Sequence, residues 1–171
     1  DAARFIGAAS PNEIIFTRGT TEALNFLAMR LTEHLGPEDE VVITEMEHHA
    51  NLVPWQMAAG RRKFVLRFIP MRADGTLDLN AARGLIGEKT KLVSVCHASN
   101  VLGTVNPVRE IADRAHARGA LCVVDGAQSV PHLPVRVADL GADFLVFGAH
   151  KMLGPTGIGV LWGRGALLET L

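Results

Sequence analysis

One lysine stands where a reactive amine is expected. Lys151 lies in the stretch Gly148-Ala149-His150-Lys151, directly after the apolar run 144–147, and a glycine-rich turn at 154–157 follows it. A lysine held beside apolar surroundings has a depressed pKa and acts as a nucleophilic amine, as Schiff-base formation requires. The alternative is an exposed lysine in an ordinary turn. If Lys151 is considered without the other motifs, this alternative is the preferred interpretation.

An aspartate ends another apolar run. Asp125 follows residues 121–124, where a buried strand is expected to end. An ionised carboxylate in such surroundings is costly unless a cation pairs with it. The protonated nitrogen of a pyridoxal ring is a suitable cation, because an ionised acid keeps that ring electron-withdrawing. The alternative is a capping aspartate, since residues 125–128 could open a short helical turn.

A third candidate is the turn Gly19-Thr20-Thr21-Glu22, which leads into a helical pattern. Free backbone N–H groups at a helix start, two hydroxyls and a glycine that permits close approach suit a phosphate. An ordinary threonine N-cap is the alternative. The turn lacks both the lysine of a P-loop and the G-x-G-x-x-G pattern of a dinucleotide-binding fold, so neither is supported.

Two further polar positions follow apolar runs. His48, in the pair His48-His49, is able to stack on an aromatic ligand or to move protons. Asn100 is expected to reach the same cleft, although an amide in a plain turn would look identical. Adjacent histidines rarely bind one metal together, and no C-x-x-C or H-E-x-x-H spacing accompanies them. We therefore expect no metal site.

The two cysteines are expected to pack in the core. Cys96 and Cys122 both lie inside strand-like runs. A thiol buried among apolar groups has a raised pKa and is inert. This interpretation is strong for Cys122. For Cys96, which lies near the end of its run, a nucleophilic role stays open.

The elements that must position these residues alternate along the chain. Short apolar runs are separated by stretches of helical period, which is typical of repeated βα units. The predicted strands are 13–17, 41–44, 64–69, 91–97, 120–124, 143–147 and 158–162. Several are continuously apolar, which indicates coverage on both faces. The predicted fold is α/β, a mostly parallel sheet flanked by helices, with ligands bound at the carboxyl ends of the strands.

Two helices and one turn are predicted from local signals. Apolar residues from Leu24 to Leu35 recur at helical spacing, with Thr20 or Thr21 as the N-cap and Gly36-Pro37 as the stop. A second helix is predicted from Pro107, in its first turn, to Gly119 at the C′ position. Ala73-Asp74-Gly75-Thr76 is typical of a tight turn.

Composition excludes several classes of protein. The 171 residues carry 17 Lys plus Arg and 18 Asp plus Glu, a formal net charge of −1, so no basic field exists to hold nucleic acid or an anionic membrane. No apolar run approaches the roughly 20 residues of a membrane span. Two cysteines and no signal-like start favour a cytoplasmic setting. The ends of the sequence suggest an excerpt of a longer protein.

The joint order of these motifs resembles the class V aminotransferase family of pyridoxal 5′-phosphate enzymes. Within it, two stretches are similar to the Suf-type cysteine desulfurases, namely Glu45-Met46-Glu47-His48-His49-Ala50-Asn51 with Val53-Pro54-Trp55, and Ser99-Asn100-Val101-Leu102-Gly103-Thr104. The similarity covers essentially the whole chain. It implies the large cofactor-binding domain of fold type I, with 1–171 as part of it and an N-terminal segment and a C-terminal small domain outside it.

The resemblance also implies roles for residues around the cofactor ring. Lys151 would form the Schiff base with the cofactor aldehyde and later move the proton at the substrate α-carbon. Asp125 would hold the ring nitrogen, and Gln128 would hydrogen-bond the phenolic oxygen. His48 would stack on the ring face. Lys151 and His48 are therefore the implied catalytic residues.

Other roles concern the phosphate and the substrate. Thr20, Thr21 and His150 would hold the phosphate, and Asn100 would contact cofactor and substrate together. The family usually has serine at the position of Gly148, so one phosphate hydrogen bond would be lost here, at a cost of about 1–3 kcal/mol unless water replaces the hydroxyl. The persulfide cysteine and the carboxylate-binding arginine would lie outside this chain.

The implied activity is removal of sulfur from L-cysteine to give L-alanine and an enzyme persulfide, as sulfur supply for iron–sulfur clusters or other acceptors. Its partners would be an amino acid substrate, a sulfur-acceptor protein and a second subunit in a homodimer. Alternatives are a selenocysteine lyase, a kynureninase-like hydrolase or an aminotransferase with the same cofactor. A noncatalytic α/β binding module, suggested by Gly148 and the shortness of the chain, is a further alternative.

Overall fold

The computed structural model describes all residues from Asp1 to Leu171 and contains one seven-stranded sheet. The strands are β1 (Ile14–Thr17), β2 (Glu40–Thr44), β3 (Val65–Ile69), β4 (Thr90–Cys96), β5 (Leu121–Asp125), β6 (Phe144–Gly148) and β7 (Gly159–Gly163). Their order across the sheet is β1-β7-β6-β5-β4-β2-β3. The pairs among β2 to β6 are parallel, whereas β7 runs antiparallel to both β6 and β1. This confirms the predicted mostly parallel α/β sheet.

Eight helices flank the sheet. They are α1 (Ala2–Ile6), α2 (Thr20–Leu31), α3 (His49–Arg62), α4 (Leu79–Leu85), α5 (Val108–His116), α6 (Ser129–His132), α7 (Val137–Leu140) and α8 (Gly165–Leu168). Short 3₁₀ turns occupy Pro11–Glu13 and Ala149–Lys151. None of the helices combines the length and the hydrophobicity needed to cross a lipid bilayer.

The two faces of the sheet carry separate apolar cores. Leu24 and Leu27 of α2 pack with Trp55 of α3 in a cluster of 14 buried residues. On the other face, Ile111 and Ala115 of α5 belong to a cluster of 26 buried residues. Coverage on both faces explains why the central strands have continuous apolar runs instead of alternating patterns. The site therefore rests on a sheet that is held rigid from both sides.

Every predicted strand exists, and each begins and ends within one residue of its predicted position. The shift matters most at Asp125 and Gly148. Both were predicted to come directly after a strand, but they are the last residues of β5 and β6. Glu13 lies in a 3₁₀ turn that Ser10 and Pro11 begin, so β1 starts one residue later. The predicted turn at 73–76 is confirmed, with Gly75 at φ +79°.

The predicted helix ends are partly wrong. Gly19 is the N-cap of α2 and Thr20 is its first residue, so neither Thr20 nor Thr21 caps it. The helix ends at Leu31, before Gly36-Pro37, because the Thr32 hydroxyl donates to the Ala28 carbonyl and the chain turns there. Turns of this kind satisfy backbone groups that a longer helix would otherwise use.

The second predicted helix shows a similar difference. Pro107 is the N-cap of α5 and lies outside its first turn, with φ −77° and ψ 67°. The regular helix ends at His116, and two turn hydrogen bonds carry the chain on to Gly119, whose φ is +70°. Gly119 therefore closes the helix in the left-handed conformation that favours glycine.

Candidate functional site

A cavity of about 670 Å³ opens where β4, β5 and β6 end and α2 begins. The carboxyl ends of parallel strands are where open α/β sheets bind ligands. All eight residues predicted to bind a cofactor line it, namely Thr20, Thr21, His48, Asn100, Asp125, Gln128, His150 and Lys151. The structure thus brings together residues from five separate parts of the chain. Their individual roles stay predictions.

The start of α2 forms the anion-binding end of the cavity. The first backbone N–H that the helix itself uses is that of Ala23, which donates to the Gly19 carbonyl. The N–H groups of the preceding turn are therefore directed outwards, and the helix dipole adds positive potential there. The Thr20 hydroxyl is buried and has no hydrogen-bond partner. A buried hydroxyl without a partner at a helix N-terminus fits a phosphate oxygen.

Close backbone approach makes this turn possible. Gly159 of β7 faces Gly19, and a Cβ atom on Gly159 would lie 2.5 Å from the Gly19 Cα. Gly148, at the end of β6, is also confined, since a Cβ there would lie 3.2 Å from the Thr20 hydroxyl oxygen. Two glycines therefore let the strand ends pack directly against the start of α2.

Asp125 presents a buried carboxylate to the cavity. Its side chain accepts one hydrogen bond, from the Ala127 N–H at 2.9 Å, and the residue is only 5% exposed. Burial raises its pKa, while the Ala127 hydrogen bond and the nearby charges of Lys151 and His48 lower that pKa. An acid in this position needs a cationic partner in order to stay ionised. Asp125 is not the N-cap of the short helix that follows, because that position in α6 is occupied by Gln128.

Lys151 lies on the same side of the sheet as Asp125. It ends the 3₁₀ turn Ala149–Lys151, which is fixed by hydrogen bonds from the Ala149 N–H to the Ile158 carbonyl and from the Gly154 N–H to the Ala149 carbonyl, both 3.0 Å. The amine itself makes no hydrogen bond or ion pair with the chain. Its charge still reaches Asp125. Lys151 and Asp125 therefore line the same cavity and lie within electrostatic reach of each other.

His48 is the N-cap of α3 and lies at the edge of the cavity. Its Nδ1 atom accepts a hydrogen bond from the Ala50 N–H at 3.0 Å. Because Nδ1 is the acceptor, the neutral ring carries its proton on Nε2. The ring is therefore held by its own helix cap, and its exposed face is available to an aromatic ligand.

Asn100 and Gln128 complete the predicted set. Asn100 is exposed in a turn that is closed by the hydrogen bond from the Gly103 N–H to the Ser99 carbonyl. The Gln128 side chain makes no capping hydrogen bond to α6. Both amides are thus free to contact a ligand.

The cysteines are confirmed as core residues. Cys96 and Cys122 are free thiols, and both are buried. Burial is the largest cause that raises the pKa of each thiol far above its ordinary value. Cys96 touches the cavity, but a thiol with so high a pKa supplies almost no thiolate at neutral pH. The nucleophilic role left open for Cys96 is therefore not supported.

The structure adds residues that the sequence did not point to. Arg18, directly after β1, and Asn25, in the second turn of α2, also line the cavity, as does Glu22 of the turn 19–22 that the sequence already singled out. Arg18 and Glu22 form an exposed ion pair at 2.7 Å. The helical spacing of Thr21 and Asn25, whose amide donates to the Thr21 carbonyl at 2.8 Å, is the signal that could have found Asn25.

Glu47 does not line the cavity but lies directly behind it. Its carboxylate accepts hydrogen bonds from the Thr44 hydroxyl, the Asn51 amide and the N–H of Cys96, a residue that does line the cavity, and burial raises the pKa of Glu47 to about 7. Those hydrogen bonds lower the pKa and the charge of Asp125 raises it further, but burial is the largest cause. Glu47 stands in the motif 45–51 beside His48, yet its partner Cys96 is far away in sequence.

These features together fit pyridoxal 5′-phosphate. The partnerless Thr20 hydroxyl and the helix start suit its phosphate, and the buried Asp125 suits its ring nitrogen. The free Lys151 amine suits its aldehyde. No group of three or more His, Cys, Asp and Glu side chains is placed to bind a metal ion.

Comparison with known proteins agrees with this geometry. The sequence profile described as Aminotransferase class-V matches residues 1–171. The chain is 53% identical over 169 residues to a probable cysteine desulfurase of Halalkalibacterium halodurans, covering 98% of this chain and 42% of that protein. It is 54% identical over 170 residues to a cysteine desulfurase of Serratia proteamaculans, covering 99% and 42%.

Solved structures give the same result. The cysteine desulfurase CsdA of Escherichia coli superposes with a TM-score of 0.95 at 38% identity, over 99% of this chain and 43% of that one. The apo cysteine desulfurase of Thermococcus onnurineus NA1 gives 0.94 at 45% identity, over 99% and 42%. The chain therefore belongs to the class V aminotransferase family. It spans about two fifths of the length of these relatives.

Proposed function

We propose that the intact protein carrying this chain is a pyridoxal-phosphate-dependent cysteine desulfurase. The observation that carries the proposal is the meeting of Lys151 and the buried Asp125 in one cavity that also ends at the partnerless Thr20 hydroxyl. The resemblance of the chain to proteins named cysteine desulfurase, at more than 50% identity, supports this choice among class V enzymes.

Each end of the cavity would hold one part of the cofactor. Thr20, Thr21 and His150 would bind the phosphate, together with the free N–H groups at the start of α2. Asp125 would pair with the ring nitrogen, and Gln128 would donate to the phenolic oxygen. When bound, pyridoxal phosphate supplies an aldehyde that condenses with amines and a ring that withdraws electrons.

The chain's own residues would then perform the acid–base work. Asp125 would stay ionised beside a cationic ring and keep it positive, and such a ring favours loss of a proton at the substrate α-carbon. Lys151 would remove that proton and later return it. His48 would stack on the face of the ring, and Asn100 would contact the cofactor and the substrate together. The net reaction converts L-cysteine and an acceptor thiol into L-alanine and a persulfide.

The sulfur acceptor must come from elsewhere. Both cysteines of the chain are buried and have strongly raised pKa values, so neither supplies the thiolate that attacks sulfur. The proposal therefore assigns the persulfide to a cysteine outside residues 1–171, and the arginine that binds the substrate carboxylate likewise.

The wider setting is part of the same proposal. Residues 1–171 would form part of the large cofactor-binding domain of a homodimer located in the cytoplasm. The sulfur would pass to an acceptor protein for iron–sulfur cluster assembly. The proposed substrates are amino acids. The balance of 17 basic and 18 acidic residues does not favour nucleic acid or membrane lipid as a partner.

Replacement of Lys151 tests the central assignment. We expect Lys151→Ala in the intact protein to lose the absorbance band that borohydride fixes after addition of pyridoxal phosphate. Alanine release from cysteine should fall by at least about 10³-fold, as expected when a covalent and acid–base group is removed. Lys89→Ala is the control, because Lys89 is an exposed lysine paired with Glu38. Retained turnover in Lys151→Ala would refute the assignment.

Product analysis separates the alternatives. Release of alanine and sulfide from cysteine identifies a desulfurase, whereas exclusive turnover of selenocysteine, kynurenine or an amino-group acceptor identifies another class V reaction. A wild-type protein that never gives a borohydride-fixed band would be a noncatalytic module.

A further inference from the structure

Glu47 anchors the segment that carries His48 to the end of β4. One carboxylate oxygen, Oε1, accepts hydrogen bonds from the Thr44 hydroxyl at 2.6 Å and from the Cys96 N–H at 2.9 Å. The other oxygen, Oε2, accepts from the Asn51 amide at 2.6 Å. Glu47 thus joins the end of β2, the end of β4 and the first turn of α3.

The orientation of the Asn51 amide in this network is determined. The Asn51 Oδ1 atom accepts from the Trp55 indole N–H at 2.9 Å and from the Ser94 hydroxyl at 2.7 Å. An indole N–H is only a donor, so the amide oxygen must face Trp55 and the amide NH₂ must face Glu47. Asn51, Trp55 and Ser94 are all buried. Glu47 is therefore the one acceptor that this buried network requires.

The network replaces strand pairing at the site. The register between β2 and β4 extends from Glu40–Val42 to Thr90–Val93 and stops there. Farther along, the Cys96 N–H finds its acceptor in the Glu47 carboxylate instead of a neighbouring strand. Cys96 in turn pairs in register with Asp125 of β5. Glu47 hence connects the strand end beside Asp125 with the turn that holds His48.

We propose that Glu47 is a positioning residue of the site, which fixes His48 relative to Asp125 through the bonds to Cys96 and Asn51. His48 lies between Glu47 and Asn51 in sequence, and the Asn51 N–H donates to the His48 carbonyl at 2.7 Å. The chain is therefore fixed by hydrogen bonds both before His48, at Glu47, and after it, at Asn51. This inference rests on the proposed function, because it assigns His48 to the face of a bound pyridoxal ring.

The ionisable groups near Glu47 agree with an electrostatic link as well. They are the Cys96 thiol on β4 and Asp125 on β5, and the charge of His48 in turn lowers the pKa of Asp125. The charge of Asp125 raises the Glu47 pKa, so a cation paired with Asp125 would favour ionised Glu47 and strengthen its three accepted hydrogen bonds. Binding at Asp125 and the anchoring of His48 thus support one another.

Glu47→Gln disturbs the network at one defined contact. The glutamine oxygen still accepts from Thr44 and Cys96, but its NH₂ group faces the Asn51 NH₂ group. Adding Asn51→Asp restores a donor–acceptor pair, since an aspartate accepts from the glutamine, from Trp55 and from Ser94. Glu47→Gln with Asn51→Asp is therefore a matched repair. Glu38→Gln, on an exposed ion pair, is the control.

The test measures the dissociation constant of pyridoxal 5′-phosphate in the intact protein, with thermal unfolding recorded for every variant. We expect Glu47→Gln to weaken binding about tenfold, Glu38→Gln to have no effect, and the repair to return binding to within about twofold of wild type. In a His48→Ala background the same Glu47→Gln change should cost less than about twofold, because the residue it positions is gone.

The outcomes are distinguishable. Equal losses with and without His48, or no loss at all, overturn the positioning role even if the unfolding temperature falls. If Glu47→Gln alone does not fold, a folded repair variant that binds as wild type supports the role, and one that binds tenfold more weakly overturns it. A wild-type protein that binds no pyridoxal phosphate refutes the proposed function instead.

Discussion

Gly148 lies close to Thr20 and His150. A Cβ atom at this position would lie 3.1 Å from the His150 Nδ1 atom and 3.2 Å from the Thr20 hydroxyl oxygen. The backbone at Gly148 is extended, with φ −126°, so any residue adopts it without strain. His150 is exposed in a short turn and can move by the few tenths of an ångström that a Cβ needs.

We therefore expect Gly148→Ser to strengthen pyridoxal phosphate binding by up to about tenfold, because the added hydroxyl joins Thr20 at the anion-binding end. The dissociation constant measured by absorbance titration checks this. Gly148→Ala adds the same Cβ without a hydroxyl and is the control. Equal affinities of the serine and alanine variants would show that the hydroxyl makes no contact with the phosphate.

The individual site residues differ in how far sequence alone revealed them. Asp125 and Lys151 were recognisable as candidates because each follows an apolar run, although only the joint order of the motifs favoured them over a capping aspartate and an exposed lysine. Glu47 was not predictable, because its importance arises from the Cys96 N–H, 49 positions away. Local patterns reveal an unusual residue, whereas a non-local hydrogen bond becomes visible only in three dimensions.

The contact between β7 and the start of α2 depends on two glycines. A Cβ atom on Gly159 would lie 2.5 Å from the Gly19 Cα and 2.8 Å from the Thr17 hydroxyl oxygen. Two of the three nearest atoms belong to backbone, which cannot yield as a flexible side chain does. We expect Gly159→Ala to lower the free energy of unfolding by about 1–3 kcal/mol.

Urea unfolding monitored by circular dichroism measures this loss. Gly60→Ala is a matched control, since Gly60 lies inside α3 with no atom within 4 Å of an added Cβ. Alanine there should stabilise the protein by about 0.5–1 kcal/mol through helix propensity. Pyridoxal phosphate binding should weaken only in Gly159→Ala. A Gly159→Ala protein as stable as wild type would contradict the close packing of β7 on Gly19.

The elements were predictable to different degrees for a physical reason. Each strand is a short apolar run, and the central ones are covered on both faces, so the pattern is set locally and the limits follow to within one residue. The helix α3 (His49–Arg62) was not assigned, because Pro54 lies inside it and the buried Asn51 interrupts the apolar face. Helix ends depended on single contacts, such as that of Thr32 with Ala28.

The candidate site lowers the stability of the folded molecule. The cavity lies at the ends of central strands that are packed on both faces, and it holds a buried acid that accepts one hydrogen bond. The folded state raises the pKa of Asp125, so it binds a proton more tightly than the unfolded chain does. Above the ordinary pKa of an aspartate, stability therefore falls as the pH rises towards the folded value. Functional sites commonly reduce stability in this way.

Removing the charge of Asp125 should reveal this cost. Without pyridoxal phosphate, we expect Asp125→Asn to raise the free energy of unfolding by about 1–3 kcal/mol at neutral pH, because the amide oxygen still accepts from the Ala127 N–H and no charge is buried. The difference from wild type should shrink as the pH falls through the raised pKa of Asp125, because the wild-type carboxyl then becomes protonated. Saturating pyridoxal phosphate should reverse the order, since it would stabilise wild type by its own binding and Asp125→Asn far less. Denaturant unfolding at several pH values, with and without pyridoxal phosphate, measures all three effects. If Asp125→Asn were less stable than wild type at every pH, the role of Asp125 would be to stabilise the fold and not to bind a ligand.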